Sequence, residues 1–472
     1  MFPYVKTGGL ADVVGALANT LAARGHEVAV YLPCYRAVKE HPATQDATRT
    51  AEFSVRLGEC ECAGEAWAFS PRKNLTVHLI ARDEFFDRTH LYWTGTRDYD
   101  DNDARFIFFA RAVVEMLTRD GRVCDAVHAH DWQAGLVPML LEHVGRSEGR
   151  LIARRTVFTI HNLAYQGVFP PSSFALTGLP ERFRGIENGC EYYGKISLLK
   201  AGIVAADRVT TVSPNYAREI REPAGGMGMD GVLRARGAAV SGILNGIDTT
   251  VWNPATDAAL PARYSAEALE GKARCRVELL RKVGWNEDFD GPVFCMISRM
   301  TTAKGHDLLL AAADFFPANN ARLIVLGSGD AAIEQAFREL AVKMPEHIVV
   351  SVRLDETMSH VVEAGADFFL MPSRAEPCGL NQMYSQAYGT PPLCGRVGGL
   401  VDTVRDLNED PESGTGWLFE PTEDGLRGAL QAALALFGDK ERLQAVRQRA
   451  MRRDFSWEKS VTVYERLYDG SE

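Results

Sequence analysis

The stretch that most restricts what this chain can become is Pro372-Ser373-Arg374-Ala375-Glu376-Pro377-Cys378-Gly379-Leu380-Asn381-Gln382. The apolar run 366–371 before it reads as a buried strand and 380–388 after it as a helix, with a Pro- and Gly-containing turn between. Strand, tight turn and helix place Glu376 and the backbone N–H groups of Cys378, Gly379 and Leu380 at a helix N-terminus. Those N–H groups lack intrahelical partners and the helix dipole favours negative charge, so the turn is suited to an anion. Glu376 adds an acceptor for hydroxyls, and the combination suits a sugar phosphate. An ordinary βα turn whose Glu only decorates the first helical turn fits these residues about equally well.

A chain of 472 residues has room for two or three domains built on this grammar. Its net charge of -10, without any block of Lys or Arg, argues against a nucleic-acid or anionic-membrane partner. No apolar run approaches the roughly 18–20 residues of a membrane span, and no signal-peptide core opens the chain. The nine cysteines are scattered, and the close pair Cys60-Glu61-Cys62 has no matching pair at zinc spacing. The expectation is reduced thiols in a cytoplasmic protein without a structural metal.

In chain order, Lys6-Thr7-Gly8-Gly9-Leu10 leads into a helix over 10–23 and a strand over 27–31. That is the second half of a βαβ unit whose first strand is missing, whereas a doubly wound sheet normally opens on a central strand. Gly8 and Gly9 before a helix offer a second amide cradle, with Lys6 adding charge, although a plain turn is the commoner meaning of such a pair. Residues 54–81 read as short strands. The loop 85–103 carries Tyr92, Trp93 and Tyr99 among acidic residues, a mixture suited to stacking on sugars; taken alone it favours a solvated surface loop. A helix is expected over 102–117. Strands then end in His128-Ala129-His130-Asp131-Trp132 and in His161-Asn162-Leu163, the end of a strand at which open α/β sheets bind ligands. A sugar-contacting or core-satisfied His fits these clusters better than a metal site, which would need further ligands.

Further βα units span 195–206, 208–213 and 242–247, the last ending in Asn245-Gly246-Ile247-Asp248. Residues 253–290 read as a connection. A second series opens with the strand 293–297 and the loop Ser298-Arg299-Met300-Thr301-Thr302-Ala303-Lys304-Gly305. Arg299 and Lys304 could clamp a diphosphate, one as a fork and one as a point charge; two solvated surface charges would be the better reading of that loop alone. Gly327-Ser328-Gly329 after the next strand matches a dinucleotide fingerprint, but no acidic residue clearly ends the strand 347–352 to hold a ribose, so it is read as a Gly-rich turn. Gly398-Gly399-Leu400 opens another helix, and 455–468 an amphipathic one.

Together, Lys6-Thr7-Gly8-Gly9-Leu10, His128 to Trp132, His161-Asn162-Leu163, Asn245 to Asp248, Arg299 with Lys304, and Glu376-Pro377-Cys378-Gly379-Leu380 resemble, in order, the bacterial glycogen synthases and plant starch synthases. The resemblance covers nearly the whole chain. It implies the GT-B form of α/β architecture: two Rossmann-like doubly wound domains, 1–250 on the acceptor side and 251–453 for the nucleotide sugar, facing across a cleft, with 454–472 crossing back. It implies retaining transfer of glucose from ADP-glucose to the non-reducing-end 4-hydroxyl of an α-1,4-glucan, with no cofactor or metal. By the same resemblance Arg299, Lys304, Glu376 and His161 are catalytic. Lys6, Gly8, Gly9, Asn245, Cys378, Gly379, Leu380, Leu354 and Tyr384 bind the donor, and Tyr92, Asp131 and Trp132 the acceptor.

The chain also departs from that family. Its first strand and the acidic residue before Met1-Phe2-Pro3 are absent, so a misplaced start codon or a shortened chain is expected. Leu354 stands where members usually carry a Tyr or Phe that stacks on the base. Asn381 replaces the commoner Thr, and Cys394-Gly395-Arg396-Val397 replaces a segment usually richer in Arg. Two rivals follow. One is a retaining transferase using UDP-sugars; many of those have a second Glu where this chain has Tyr384. The other is a weakly active glucan-binding paralogue, against which stand Lys6, His161, Arg299, Lys304 and Glu376.

Overall fold

The computed structural model describes residues 1–353 and 355–471. The chain forms two compact units, Met1–Ile243 with Trp457–Glu472, and Leu244–Ser456. The seam lies ahead of the boundary at 250/251 that the resemblance implies. The sheet of the first unit stops at Gly242, and the chain from Ile247 bonds within the second, its N–H donating to Phe455 O at 2.8 Å.

The first unit contains strands β1 (Val28–Pro33), β2 (Thr48–Leu57), β3 (Cys60–Arg72), β4 (Leu75–Ala81), β5 (Cys124–His130), β6 (Ala153–Ile160), β7 (Val168–Phe169), β8 (Glu191–Tyr192), β9 (Lys195–Ser197), β10 (Arg208–Thr211) and β11 (Val240–Gly242). They form sheets in the orders β1-β4-β3-β2, β11-β10-β6-β5 and β7-β9-β8. The second of these is parallel throughout. The strand expected over 242–247 is β11, displaced toward the N-terminus because the backbone leaves the sheet after Gly242. Among the described residues no strand precedes β1. β1 and β5 each form the end of a sheet, and both line one cavity of about 2030 Å³ together with Met1, Val5 and Leu10.

Within this unit the C-terminal helix Trp457–Asp469 buries Trp457, Val461, Tyr464 and Leu467, a stripe at helical spacing. It packs with Val13, Leu17 and Leu21 of the helix Gly9–Ala23. An Arg24 fork holds Glu465 through two bonds of 2.7 Å.

The second unit carries β12 (Val293–Ile297), β13 (Arg322–Leu326), β14 (Ile348–Ser351), β15 (Phe368–Met371), β16 (Pro392–Gly395) and β17 (Trp417–Phe419). Their order β14-β13-β12-β15-β16-β17 is parallel throughout. This is the doubly wound arrangement, whose switch point between β12 and β15 is where ligands bind. Strands covered on both faces must be apolar along their length, and every residue of β12, β13, β15 and β16 is buried. Phe294 and Phe368 stack across β12 and β15 at 5.2 Å. The Gly-rich turn after β13 has a packing role. A Cβ at Gly327 would lie 1.8 Å from Ser298 O, and the loop backbones bond through Met300 N–H to Ser328 O at 2.9 Å.

Candidate active site

Two loops at the carboxyl ends of β12 and β15 build a site at the switch point of the second unit. After β12, a single 3₁₀ turn (Thr302–Lys304) presents Lys304. After β15, the chain brings Glu376 back so that its carboxylate, buried, pairs with the Lys304 ammonium. Ser373 Oγ lies 3.4 Å from the same carboxylate oxygen. The two loops are fastened by Arg374, whose guanidinium forks onto Asp307 with two bonds of 2.7 Å and donates to Thr302 O, while Arg374 N–H donates to Ala303 O. Arg299 is exposed on the same β12 loop. Gly398 allows the next loop to close on this turn: its φ is +48°, and a Cβ there would lie 1.8 Å from Glu376 O.

The helix after the turn, Asn381–Ala387, starts without a side-chain cap. Among the described residues, the backbone N–H groups of Cys378, Gly379 and Leu380 donate to no protein acceptor. Asn381 Nδ2 donates to Ile297 O at 2.6 Å, tying the helix start to β12. Asn245 reaches the same turn. Its backbone and side chain hydrogen-bond the Cys378 thiol, which burial pushes up to about 12 against those bonds. The Asn245 Oδ1 is buried and has no hydrogen-bond partner among the described residues. Tyr384 lies one helical turn further on, half-buried. Leu354 lies outside the described residues.

In the first unit, the carboxyl ends of β5 and β6 bring Asp131 and His161 together. Asp131 adopts a left-handed φ of +54°, held there as its Oδ1 accepts from His161 N–H at 2.7 Å. Burial pushes its carboxyl up to about 7, against bonds from the His161 and Asn162 N–H groups. His161 Nε2 lies 3.1 Å from His130 Nδ1. Burial, then the proximity of His130, holds the His161 imidazole well below its ordinary value, so it is neutral. Trp132 is buried edge-on against Phe106 at 4.7 Å, with Tyr92 at 6.2 Å. Tyr99 faces the Arg88 and Arg105 guanidiniums, which leaves Trp93 as the exposed ring of that loop. Lys6, ahead of the helix Gly9–Ala23, pairs with Asp12 at 2.8 Å, and Gly8 and Gly9 are exposed. Among the described residues no group of three or more His, Cys, Asp or Glu has the geometry of a metal site.

Residues 1–235 match the family model described as starch synthase catalytic domain, and residues 280–451 match glycosyl transferases group 1. A glycogen synthase of Opitutus terrae is 54% identical over 468 residues, covering 99% of this chain and 97% of the relative. The chain belongs to the glycogen/starch synthase family. A glycogen synthase of Anaeromyxobacter dehalogenans is 44% identical, covering 99% of this chain and 96% of that one. The solved catalytic domain of starch synthase IV from Arabidopsis thaliana matches with a TM-score of 0.90 at 32% identity, covering 100% of this chain and 97% of that one.

As a member of the glycogen/starch synthase family this chain is a glycosyltransferase. Three features of the site could not be read from the sequence: the Arg374–Asp307 fork, the approach of the Ser373 hydroxyl to Glu376, and the buried Asn245 oxygen beside the Cys378 turn. The signal for the first two was local, since Ser373 and Arg374 lie in the same turn as Glu376; the third depends on which distant segments meet.

Proposed function

We propose that the chain transfers glucose from ADP-glucose to the non-reducing-end 4-hydroxyl of an α-1,4-glucan, retaining the anomeric configuration. The observation that carries this reading is Lys304 paired with the buried Glu376 beside the undonated amides of Cys378, Gly379 and Leu380. A cation, amide donors and hydroxyl acceptors in one place suit a sugar diphosphate. The starch synthase structure similar to this chain is bound to ADP and acarbose, which supports the assignment of donor and glucan.

In the reaction the bond from C1 to the diphosphate oxygen breaks. The acceptor 4-oxygen bonds to C1 and its proton leaves with the products. Negative charge grows on the diphosphate, and preorganised cations and amides aimed there supply the large catalytic effect. We assign that role to Arg299, Lys304 and the Cys378, Gly379 and Leu380 amides, with Lys6, Gly8 and Gly9 as further donor contacts. Glu376, Asn245 and His161 take sugar hydroxyls, His161 as a neutral imidazole. Tyr384 and Leu354 meet the nucleotide; Tyr92, Asp131 and Trp132 form the acceptor side. No metal is part of the proposal, and turnover unchanged by EDTA is its test. A cytoplasmic setting belongs to the same reading, which the nine free cysteines fit.

The deciding experiment measures glucose incorporation into glycogen from ADP-glucose and UDP-glucose side by side. Strong incorporation from ADP-glucose supports the proposal. Preference for UDP-glucose overturns the donor assignment and directs attention to Leu354. A folded protein that uses neither donor overturns the reading as a whole.

A further inference from the structure

Trp252 lies in the irregular segment that opens the second unit, and its indole is the middle ring of three. His360 stacks on one face at 4.1 Å with planes 8° apart. Tyr384 stacks on the other at 3.8 Å with planes 10° apart. The outer rings come from two different helices, Glu356–Gly365 and Asn381–Ala387, so three separate stretches of chain meet in one pile.

The His360 end of the pile is anchored in the core. His360 Nδ1 lies 2.7 Å from Asp257 Oδ2 and 3.1 Å from Tyr388 Oη. The Tyr388 hydroxyl donates to the same Asp257 oxygen at 2.5 Å. His360, Asp257 and Tyr388 are all buried, and Tyr388 O accepts from Tyr264 Oη and Lys272 Nζ. The Tyr384 end is half-buried and belongs to the helix that follows the Cys378-Gly379-Leu380 turn.

An anchored ring pressed on one face of a tyrosine removes most of that side chain's rotational freedom. Any nucleotide that meets the phenol then does so on its other face or at its hydroxyl edge, and it does not have to order the ring first. Prepaid ordering of this kind strengthens binding without changing the chemical step.

We propose that Trp252, backed by His360 and Asp257, is a positioning residue for nucleotide-sugar binding, acting by fixing the ring of Tyr384. This rests on the placing of Tyr384 in the donor site proposed above. No step of the transfer passes through Trp252, so its effect falls on donor affinity and leaves the acceptor untouched.

The test uses the full chain with W252L, W252F, Y384L and the W252L/Y384L double variant, assayed well below the lowest melting temperature of the set. The readouts are donor KM, acceptor KM, kcat and ADP affinity by calorimetry. W252L is expected to raise donor KM and weaken ADP about tenfold, with acceptor KM unchanged and kcat within about threefold. W252F, which keeps a ring in the pile, should recover most of the lost affinity. The double variant should bind no worse than the weaker single variant, because the indole acts through the phenol. A lowered melting temperature in W252L with donor KM unchanged would show a purely structural Trp252 and overturn the proposal, as would additive effects in the double variant. If instead Y384L leaves donor KM and ADP affinity unchanged, the placing of Tyr384 in the donor site fails together with the proposal. Y384L impaired and W252L normal would overturn the role of Trp252 alone.

Discussion

Replacing Lys304 by alanine separates the catalytic from the structural role of its pair with Glu376. In the folded protein the Glu376 side chain is 9% exposed and that of Lys304 22%. Removing the ammonium leaves a buried carboxylate whose remaining side-chain hydrogen bond among the described residues is with Ser373 Oγ at 3.4 Å. Stripping one partner from a fully buried pair costs about 3–5 kcal/mol. Water reaches the Lys304 side, so a cost of roughly 2 kcal/mol is expected, which lowers the melting temperature by about 4–8 °C in a unit of this size. The loss of a cation aimed at the leaving diphosphate is a separate effect, about 3–4 kcal/mol or a 10²–10³-fold fall in kcat. K304A/E376Q removes the stranded charge along with the cation. It should regain the melting temperature by calorimetry and remain inactive in the ADP-glucose incorporation assay. If E376Q restored activity to K304A along with stability, or if K304A kept kcat within tenfold of the parent, Lys304 would be a structural residue and the catalytic argument would fail.

Two further outcomes are expected. Burial pushes the Asp131 carboxyl up from its ordinary 3.8 to about 7; its folded pKa exceeds its unfolded one, so its contribution to stability is intact below about pH 4 and is lost as pH rises through 7. D131N keeps an oxygen for the His161 N–H and should melt with the parent near pH 4 but several degrees higher at pH 8; a constant difference across that range would refute the assignment. G398A forces a Cβ against Glu376 O in a left-handed backbone, a strain of about 1–3 kcal/mol. A lower melting temperature and at least a tenfold loss of kcat should follow, and normal kcat would show that Glu376 does not depend on that approach.

The parts of the site legible in the sequence are those written locally. Apolar runs such as 293–297 and 366–371 become strands because burial on both faces demands it. The turns after them carry Lys304 and Glu376 as expected of βα loops. Less legible was anything set by segments that meet only in three dimensions. Trp252 and Tyr384 are far apart in the chain, and nothing near Trp252 marks it as a stacking partner. Tyr92 and Tyr99 gave no sign of where their rings would turn, and the fold packs them on Phe106 and under two guanidiniums. The strand expected over 242–247 lies instead at Val240–Gly242, because β-propensity cannot tell where a chain leaves one unit for the next.

The six-stranded sheet of the second unit has a kinetic meaning. β12 and β15 are interior to it, with ladder partners on both sides, so isotope exchange at their amides should proceed only through global opening of that unit. β14 and β17 end the sheet, and a strand in that position bears amides on its outer side without ladder partners, so they should exchange sooner. The loops that carry Lys304 and Glu376 follow the two slow strands, and their pairing should therefore outlast every fluctuation short of unfolding.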